Sequence, residues 1–260
     1  MGFNLDSIKN ARCDRPRRII VAGPPKVGKS TFACSADRPI VIPMKGEEGI
    51  DDLNVESFPV CEKFGELLEA LGTVYADKHE FKTLVLDSVS ALEPIIWDET
   101  RRINGGVDSI EKINGGYGKG YTEALKQWRE VIGGLDAIRK ERGMTILLIA
   151  HVKVVKFADP MLEPYDQYSF DINDKASAFL RRWADGLLFV RRKIVVKKDD
   201  AGFNQTHNRP VDIGAGQPFL YTQERPAHPG GGRGVAWSKL PYEMPLSWAA
   251  FSEALALANA

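Results

Sequence analysis

The sequence predicts an α/β fold, a mostly parallel, twisted sheet flanked by helices, and three observations carry that expectation. Short apolar runs alternate with segments of helical spacing, the pattern of repeated βα units. A Gly-x-x-x-x-Gly-Lys-Ser pattern, Gly23–Ser30, directly follows the first apolar run. The runs Thr83–Asp87 and Thr145–Ala150 are apolar almost throughout rather than alternating, as strands buried on both faces are.

In chain order, residues 1–17 read as a polar lead-in, locally basic at Lys9, Arg12, Arg15 and Arg17. Arg18–Ala22 is the first strand, followed by a glycine-bounded loop and a helix over roughly Lys29–Ala36. Pro39–Pro43 reads as a second buried strand, and Lys45–Asn54 as a polar connection. Phe64, Leu67, Leu68 and Leu71 fall at helical spacing over Phe64–Tyr75. After the strand at Thr83 a helix begins near Ala91. Asn104–Gly120 holds six glycines, too many for a stable element, and Thr122–Arg142 is a long amphipathic helix. The strand Thr145–Ala150 ends at His151. Phe157–Tyr168, with two prolines and several charges, reads as a loop, and Lys175–Arg182 as a short helix. Gly186–Val190 and Lys193–Val196 read as strands, 197–218 as a polar hairpin excursion, and Phe219–Thr222 as a last core strand. Pro229–Gly234 reads as a flexible glycine-rich segment and Ser247–Leu257 as a closing helix.

Composition narrows the function classes. The 260 residues fit one large α/β domain, and 43% apolar content supports a sizeable core. Thirty-five basic residues balance 35 acidic ones, so any nucleic-acid site must be local. Cys13, Cys34 and Cys61 lack metal-ligand spacing and read as reduced thiols of a cytoplasmic protein. No run approaches the roughly 20 apolar residues of a membrane span, and Asp6 breaks the N-terminal pattern for myristoylation.

The loop Gly23, Pro24, Pro25, Lys26, Val27, Gly28, Lys29, Ser30, Thr31 is the strongest chemical signal. Its position between strand and helix turns backbone N–H groups toward phosphate oxygens. Lys29 is placed to reach the β- and γ-phosphates of a nucleoside triphosphate, and the Ser30 hydroxyl to ligate Mg²⁺. Asp87 ends an apolar strand at the edge where phosphates should lie, and a carboxylate there can hold Mg²⁺ through its waters. The competing reading is a helix cap, for which Asp87 and Ser88 both serve. His151 ends another core strand, where a polar group can report the γ-phosphate; a satisfied core or surface histidine is the alternative. Glu47 and Glu48 follow the second strand in a polar turn, where adjacent glutamates are usually just solvated; the alternative is that one supplies the carboxylate that activates water. Asp185 can cap, pair with Arg181 or Arg182, or face the site. Arg233 and Lys239 sit late in the chain, where a mobile cation can reach a neighbouring subunit's nucleotide.

Two segments carry ingredients for single-stranded DNA: flexibility, positive charge and aromatic faces. Lys112, Tyr117, Lys119 and Tyr121 mark the first. Tyr168 and Lys175 mark the second, which is otherwise acidic at Asp159, Glu163, Asp166, Asp171 and Asp174.

The order of these motifs resembles the RecA ATPase core. Gly23–Ser30, a glutamate after strand two, and Leu84-Val-Leu-Asp-Ser-Val-Ser-Ala-Leu92 carry the likeness. Tyr117-Gly-Lys-Gly-Tyr121, Ile149-Ala-His-Val-Lys153, Arg182-Trp-Ala-Asp-Gly-Leu-Leu-Phe189, Tyr221-Thr-Gln-Glu-Arg-Pro226 and Leu246-Ser-Trp-Ala-Ala-Phe251 resemble core-only RecA-like proteins of bacteriophages, some of them single-strand annealing proteins. The likeness spans about 17–256, which makes 18–260 a single RecA-like ATPase domain. It implies that Glu47, or else Glu48, activates water, that His151 couples the γ-phosphate to DNA, and that 103–120 and 157–175 are the DNA loops. It further implies ATP and Mg²⁺ as cofactors and assembly into a ring or filament. A single-strand-binding protein or an exonuclease is the implied partner, and host cytoplasm the implied location. The chain departs from the pattern at 45–46, extra residues before Glu47, and before Arg233, where glycines replace a lysine-bearing segment. The functional expectation is DNA-dependent ATP hydrolysis driving annealing or strand pairing. Its rivals are a nucleotide-gated interaction module with little catalysis and a small-molecule P-loop kinase.

Overall fold

A computed structural model of the chain describes residues 15–47, 49–200, 206–212 and 216–259, those from 194 to 212 as backbone only. The expected lead-in over 1–17 falls almost wholly outside them.

The elements run β1 (Arg18–Ala22), α1 (Lys29–Cys34), β2 (Pro39–Pro43), β3 (Glu56–Ser57), α2 (Phe64–Ala76), β4 (Thr83–Asp87) and α3 (Val89–Ile103). A short 3-10 helix (Ile110–Gly115) leads into α4 (Lys119–Glu141), β5 (Thr145–Ala150), β6 (Val152–Phe157), β7 (Tyr165–Phe170) and α5 (Asp174–Trp183). The chain continues through β8 (Gly186–Arg192), β9 (Ile194–Asp200), β10 (Thr206–Asp212), β11 (Pro218–Tyr221), β12 (Gly231–Gly232), α6 (Val235–Ser238), β13 (Glu243–Pro245) and α7 (Trp248–Asn259).

Nine strands form one sheet in the order β13-β11-β8-β1-β5-β4-β2-β3, with β12 added against β8. From β8 to β3 every pairing is parallel; β11, β12 and β13 pair antiparallel. The fold is therefore α/β with a mostly parallel sheet flanked by helices. Alternate residues of each strand enter opposite cores. Ile20, Ile42, Leu84 and Leu148 pack with Leu67 of α2, Ile96 of α3 and Trp128 of α4. Ile19, Val21, Val85 and Leu147 pack with Phe32 of α1, Trp237 of α6 and Phe251 of α7. Burial on both faces is why these strands read as continuous apolar runs.

Three expectations change. Phe157–Tyr168 is not a loop throughout: β6 and β7 form an antiparallel hairpin, with Val152 opposite Phe170 and Val154 opposite Tyr168. Its prolines, Pro160 and Pro164, stand between the strands and break neither. Asn104–Gly120 contains an ordered turn, and α4 begins at Lys119. Pro229–Gly234 is held against the sheet through β12. Its Gly232 faces Gly186, and a Cβ on either would lie 2.1 or 2.0 Å from the Trp237 ring. Those glycines serve close packing. The 197–218 excursion contains a hairpin, β9 paired with β10.

Candidate nucleotide-binding site

The strand order builds the site. β1, β5, β4 and β2 lie side by side and parallel, so their carboxyl ends share one edge. That edge presents the Gly23–Ser30 loop after β1, His151 after β5, Asp87 at the end of β4, and Glu47 after β2. Ligands of open α/β sheets bind at this edge. A cleft of about 650 Å³ opens there, lined by Gly28, Lys29, Ser30, Glu47, Asp87 and His151 among others.

The loop turns into α1 at Gly28, whose φ of 96° is left-handed and suits glycine. Lys29 is only 5% exposed. Its Nζ donates to the Gly23 and Pro24 carbonyls at 3.0 and 2.8 Å and lies 3.4 Å from His151 Nδ1. Burial lowers its pKa to about 8, against the pull of the Asp87 and Glu47 charges. The Ser30 hydroxyl donates to Asp87 Oδ2 at 2.7 Å. Burial raises the Asp87 carboxyl above its ordinary range; the Ser30 bond opposes this, and the Glu47 charge adds to it.

Glu47 accepts from His151 Nε2 at 3.1 Å and from the Ser88 hydroxyl, both at Oε1. Burial pushes its pKa up, but the His151 and Ser88 bonds and the Lys29 charge outweigh that and hold it low. The His151 tautomer protonated at Nε2 serves both neighbours: it donates to Glu47 and accepts from Lys29 at Nδ1. Lys29, His151, Glu47 and Ser88 thus form one chain of polar contacts. Glu48 lies outside the described residues.

Residues 15–234 match the family model described as AAA domain. The chain belongs to the AAA domain family. It is thereby an AAA-type P-loop ATPase by family. Among solved structures, this AAA domain chain is similar to the RadB recombinase at 13% identity and a TM-score of 0.36, covering 76% of this chain and 88% of that one. No curated protein matches it. Among the described residues no helix is long and apolar enough to cross a membrane.

The remaining expected site residues lie elsewhere. Asp185 does not face the cleft or pair with the Arg181 or Arg182 side chains. It sits at the opposite, amino edge of the sheet, where Arg18 holds it at 2.8 Å, Arg233 at 3.2 Å and Arg139 at 3.3 Å. Burial raises its pKa, but Arg18 foremost, and then Arg139, bring it below the ordinary carboxylate range. Arg233 is thus tied to Asp185 and the Arg182 carbonyl, away from its own chain's phosphate loop. Lys239 donates to the Ala258 carbonyl of α7.

Of the expected DNA residues, Tyr117 is 99% exposed at a left-handed turn. Lys112 pairs with Asp108 at 3.0 Å, and Lys119 donates to the Asn114 carbonyl. Tyr121 packs edge-on against Trp97 and donates to Glu111. Tyr168 is half-buried in β7 rather than in a free loop, and packs at a tilt against Phe189, with ring centroids 5.2 Å apart. Lys175 reaches from α5 to the Gly118 carbonyl and Thr122 Oγ1, joining the two expected DNA segments.

Sequence reasoning passed over Ser90 and Glu93. Ser90 Oγ accepts the His151 N–H at 3.0 Å, and Glu93 accepts the Asn173 N–H at 2.8 and 2.9 Å. The available signal was Glu93 itself, a carboxylate within the buried stripe Val89, Leu92, Ile96 of α3.

Proposed function

We propose that the chain is a RecA-like recombination ATPase of bacteriophage type that binds single-stranded DNA, assembles as a ring or filament, and promotes annealing or strand pairing. One observation carries the reading: the polar chain Lys29–His151–Glu47–Ser88 runs along the sheet edge from the phosphate loop to the root of the β6–β7 hairpin.

The residues fit ATP with Mg²⁺. Lys26 to Thr31 supply backbone N–H groups, Pro24 and Pro25 having none, and Lys29 exchanges the Gly23 and Pro24 carbonyls for phosphate oxygens. Ser30 and Asp87 oxygens stand together at the carboxyl edge as hard-cation ligands. Mg²⁺ held there would neutralise phosphate charge during transfer. Glu47 is kept ionised at neutral pH, as a group that orients and deprotonates water must be. Both its bonds fall on Oε1, which leaves Oε2 to take the proton. His151 bridges Lys29 and Glu47 and directly precedes β6, so a change in its partners reaches the hairpin. Tyr117 offers an exposed ring for base stacking, with Lys112 and Lys119 in the same segment.

A second reading is a nucleotide-gated interaction module. It is favoured by the engagement of Lys112, Lys119 and Lys175 in contacts within the chain, which lowers affinity for phosphates. Binding of a fluorescent single-stranded oligonucleotide, with and without MgATP, tests the choice, followed by annealing of complementary strands. The proposal expects nucleotide-dependent binding and faster annealing. ATP binding without DNA binding at low salt would contradict it and favour the module.

A further inference from the structure

We infer that Glu93 is a positioning residue that transmits occupancy of the phosphate site to the β6–β7 hairpin and, through α5, to the loop around Gly118. The inference rests on the reading of Gly23–Ser30 and Asp87 as the ATP site.

Helix α3 begins directly after Asp87, with Ser88 as its cap: Ser88 Oγ accepts the Ala91 N–H at 3.2 Å. Within its first turn and a half it grips both roots of the hairpin. Ser90 holds His151, the residue before β6, and Glu93 holds Asn173, just beyond β7. The roots are also tied to each other: the Asp171 N–H donates to the His151 carbonyl at 2.8 Å, and Lys153 Nζ to the Ile172 carbonyl at 2.9 Å. Asn173 in turn caps α5, accepting the Lys175 N–H at 3.0 Å. Lys175 extends to the Gly118 carbonyl and Thr122. A shift of Asp87 or Ser88 therefore moves a short rigid lever whose far contact is Glu93.

Glu93 is an unusual choice for a merely structural contact. It is 5% exposed, and both carboxylate oxygens serve a single N–H. Burial raises its pKa to about 7, the Asn173 N–H and Lys153 opposing and Asp171 and Asp174 adding to the rise. A buried carboxylate costs stability unless it is hydrogen-bonded, and the hydrogen bond of Glu93 goes to the far root of the hairpin. Glu93 touches none of the cleft residues, so its loss leaves nucleotide binding in place.

The test is hydrogen exchange of the hairpin backbone in the full chain, with and without a non-hydrolysable ATP analogue and Mg²⁺, alongside the affinity for that analogue. In the wild-type chain the analogue is expected to change exchange across 151–173 by about tenfold, the ordinary scale of intersite coupling. Glu93→Met, which cannot accept the Asn173 N–H, should keep the affinity and lose most of the exchange response, while Glu93→Gln, which still accepts it, should keep both. Glu93→Asp draws the carboxylate back and should lose the response too; a full response there overturns the inference even if Glu93→Met fails to fold. A wild-type response retained by Glu93→Met overturns it, as does a response lost in Glu93→Gln or analogue binding that leaves the wild-type hairpin unchanged. A wild-type chain that binds no analogue instead overturns the ATP-site reading, and this inference with it.

Discussion

Replacing Glu93 by glutamine should stabilise the protein at alkaline pH and do little at acid pH. The carboxyl ordinarily titrates near 4.5 and is raised to about 7 by burial, first of all, and by Asp171 and Asp174. The Asn173 N–H and Lys153 oppose the rise, and Tyr121 of α4 also faces the carboxylate. An acid whose folded pKa lies above its unfolded value binds its proton more tightly when folded. Its contribution is full below pH 4.5 and is lost as pH rises through 7. At about 1.4 kcal/mol per pH unit, the gap from 4.5 to about 7 comes to about 3 kcal/mol once Glu93 is ionised in both states. Glutamine fills nearly the same volume, can still accept the Asn173 N–H, and never ionises. Urea unfolding followed by tryptophan fluorescence at pH 5 and pH 8 reads the difference. The stability of Glu93→Gln relative to wild type should rise by about 2–3 kcal/mol between those pH values. Parallel pH profiles for the two chains would refute the reasoning, because Glu93 would then titrate as an ordinary surface carboxylate.

Other outcomes follow from the same geometry. Glu47→Gln should retain nucleotide binding while lowering the rate of the hydrolytic step by about 100-fold or more, the usual worth of a general base; single-turnover hydrolysis measures it. Neutralising Lys112 and Lys119 together should weaken single-stranded DNA binding and flatten its dependence on salt, read by anisotropy titrations at several ionic strengths. Gly232→Ala should destabilise the chain by about 1–3 kcal/mol, since its Cβ would meet the buried Trp237 ring; thermal unfolding shows the loss.

The phosphate loop and the central strands were legible because their signals are local. Gly23–Ser30 is a contiguous pattern, and the runs ending at Ala22, Asp87 and Ala150 are apolar on both faces. Strand-end position also singled out Asp87 and His151, which the parallel sheet brings to one edge. The β6–β7 hairpin was obscured because its alternation is short and its turn carries prolines and acids. The packing role of Gly186 and Gly232 was hidden because Trp237, which demands it, lies in another element. The role of Asp185 stayed open in the sequence because its arginine partners, Arg18, Arg139 and Arg233, are brought together only in the fold. Glu93 stood in plain sight on an apolar stripe, but its partner is a backbone N–H 80 residues away, which no side-chain pattern reveals.

The most direct measurement is steady-state ATP hydrolysis with and without single-stranded DNA, with Lys29→Ala as the control. The account predicts hydrolysis that DNA stimulates severalfold and that Lys29→Ala abolishes while remaining folded. Turnover that survives Lys29→Ala unchanged would contradict the assignment of the site at the carboxyl edge of β1, β4 and β5.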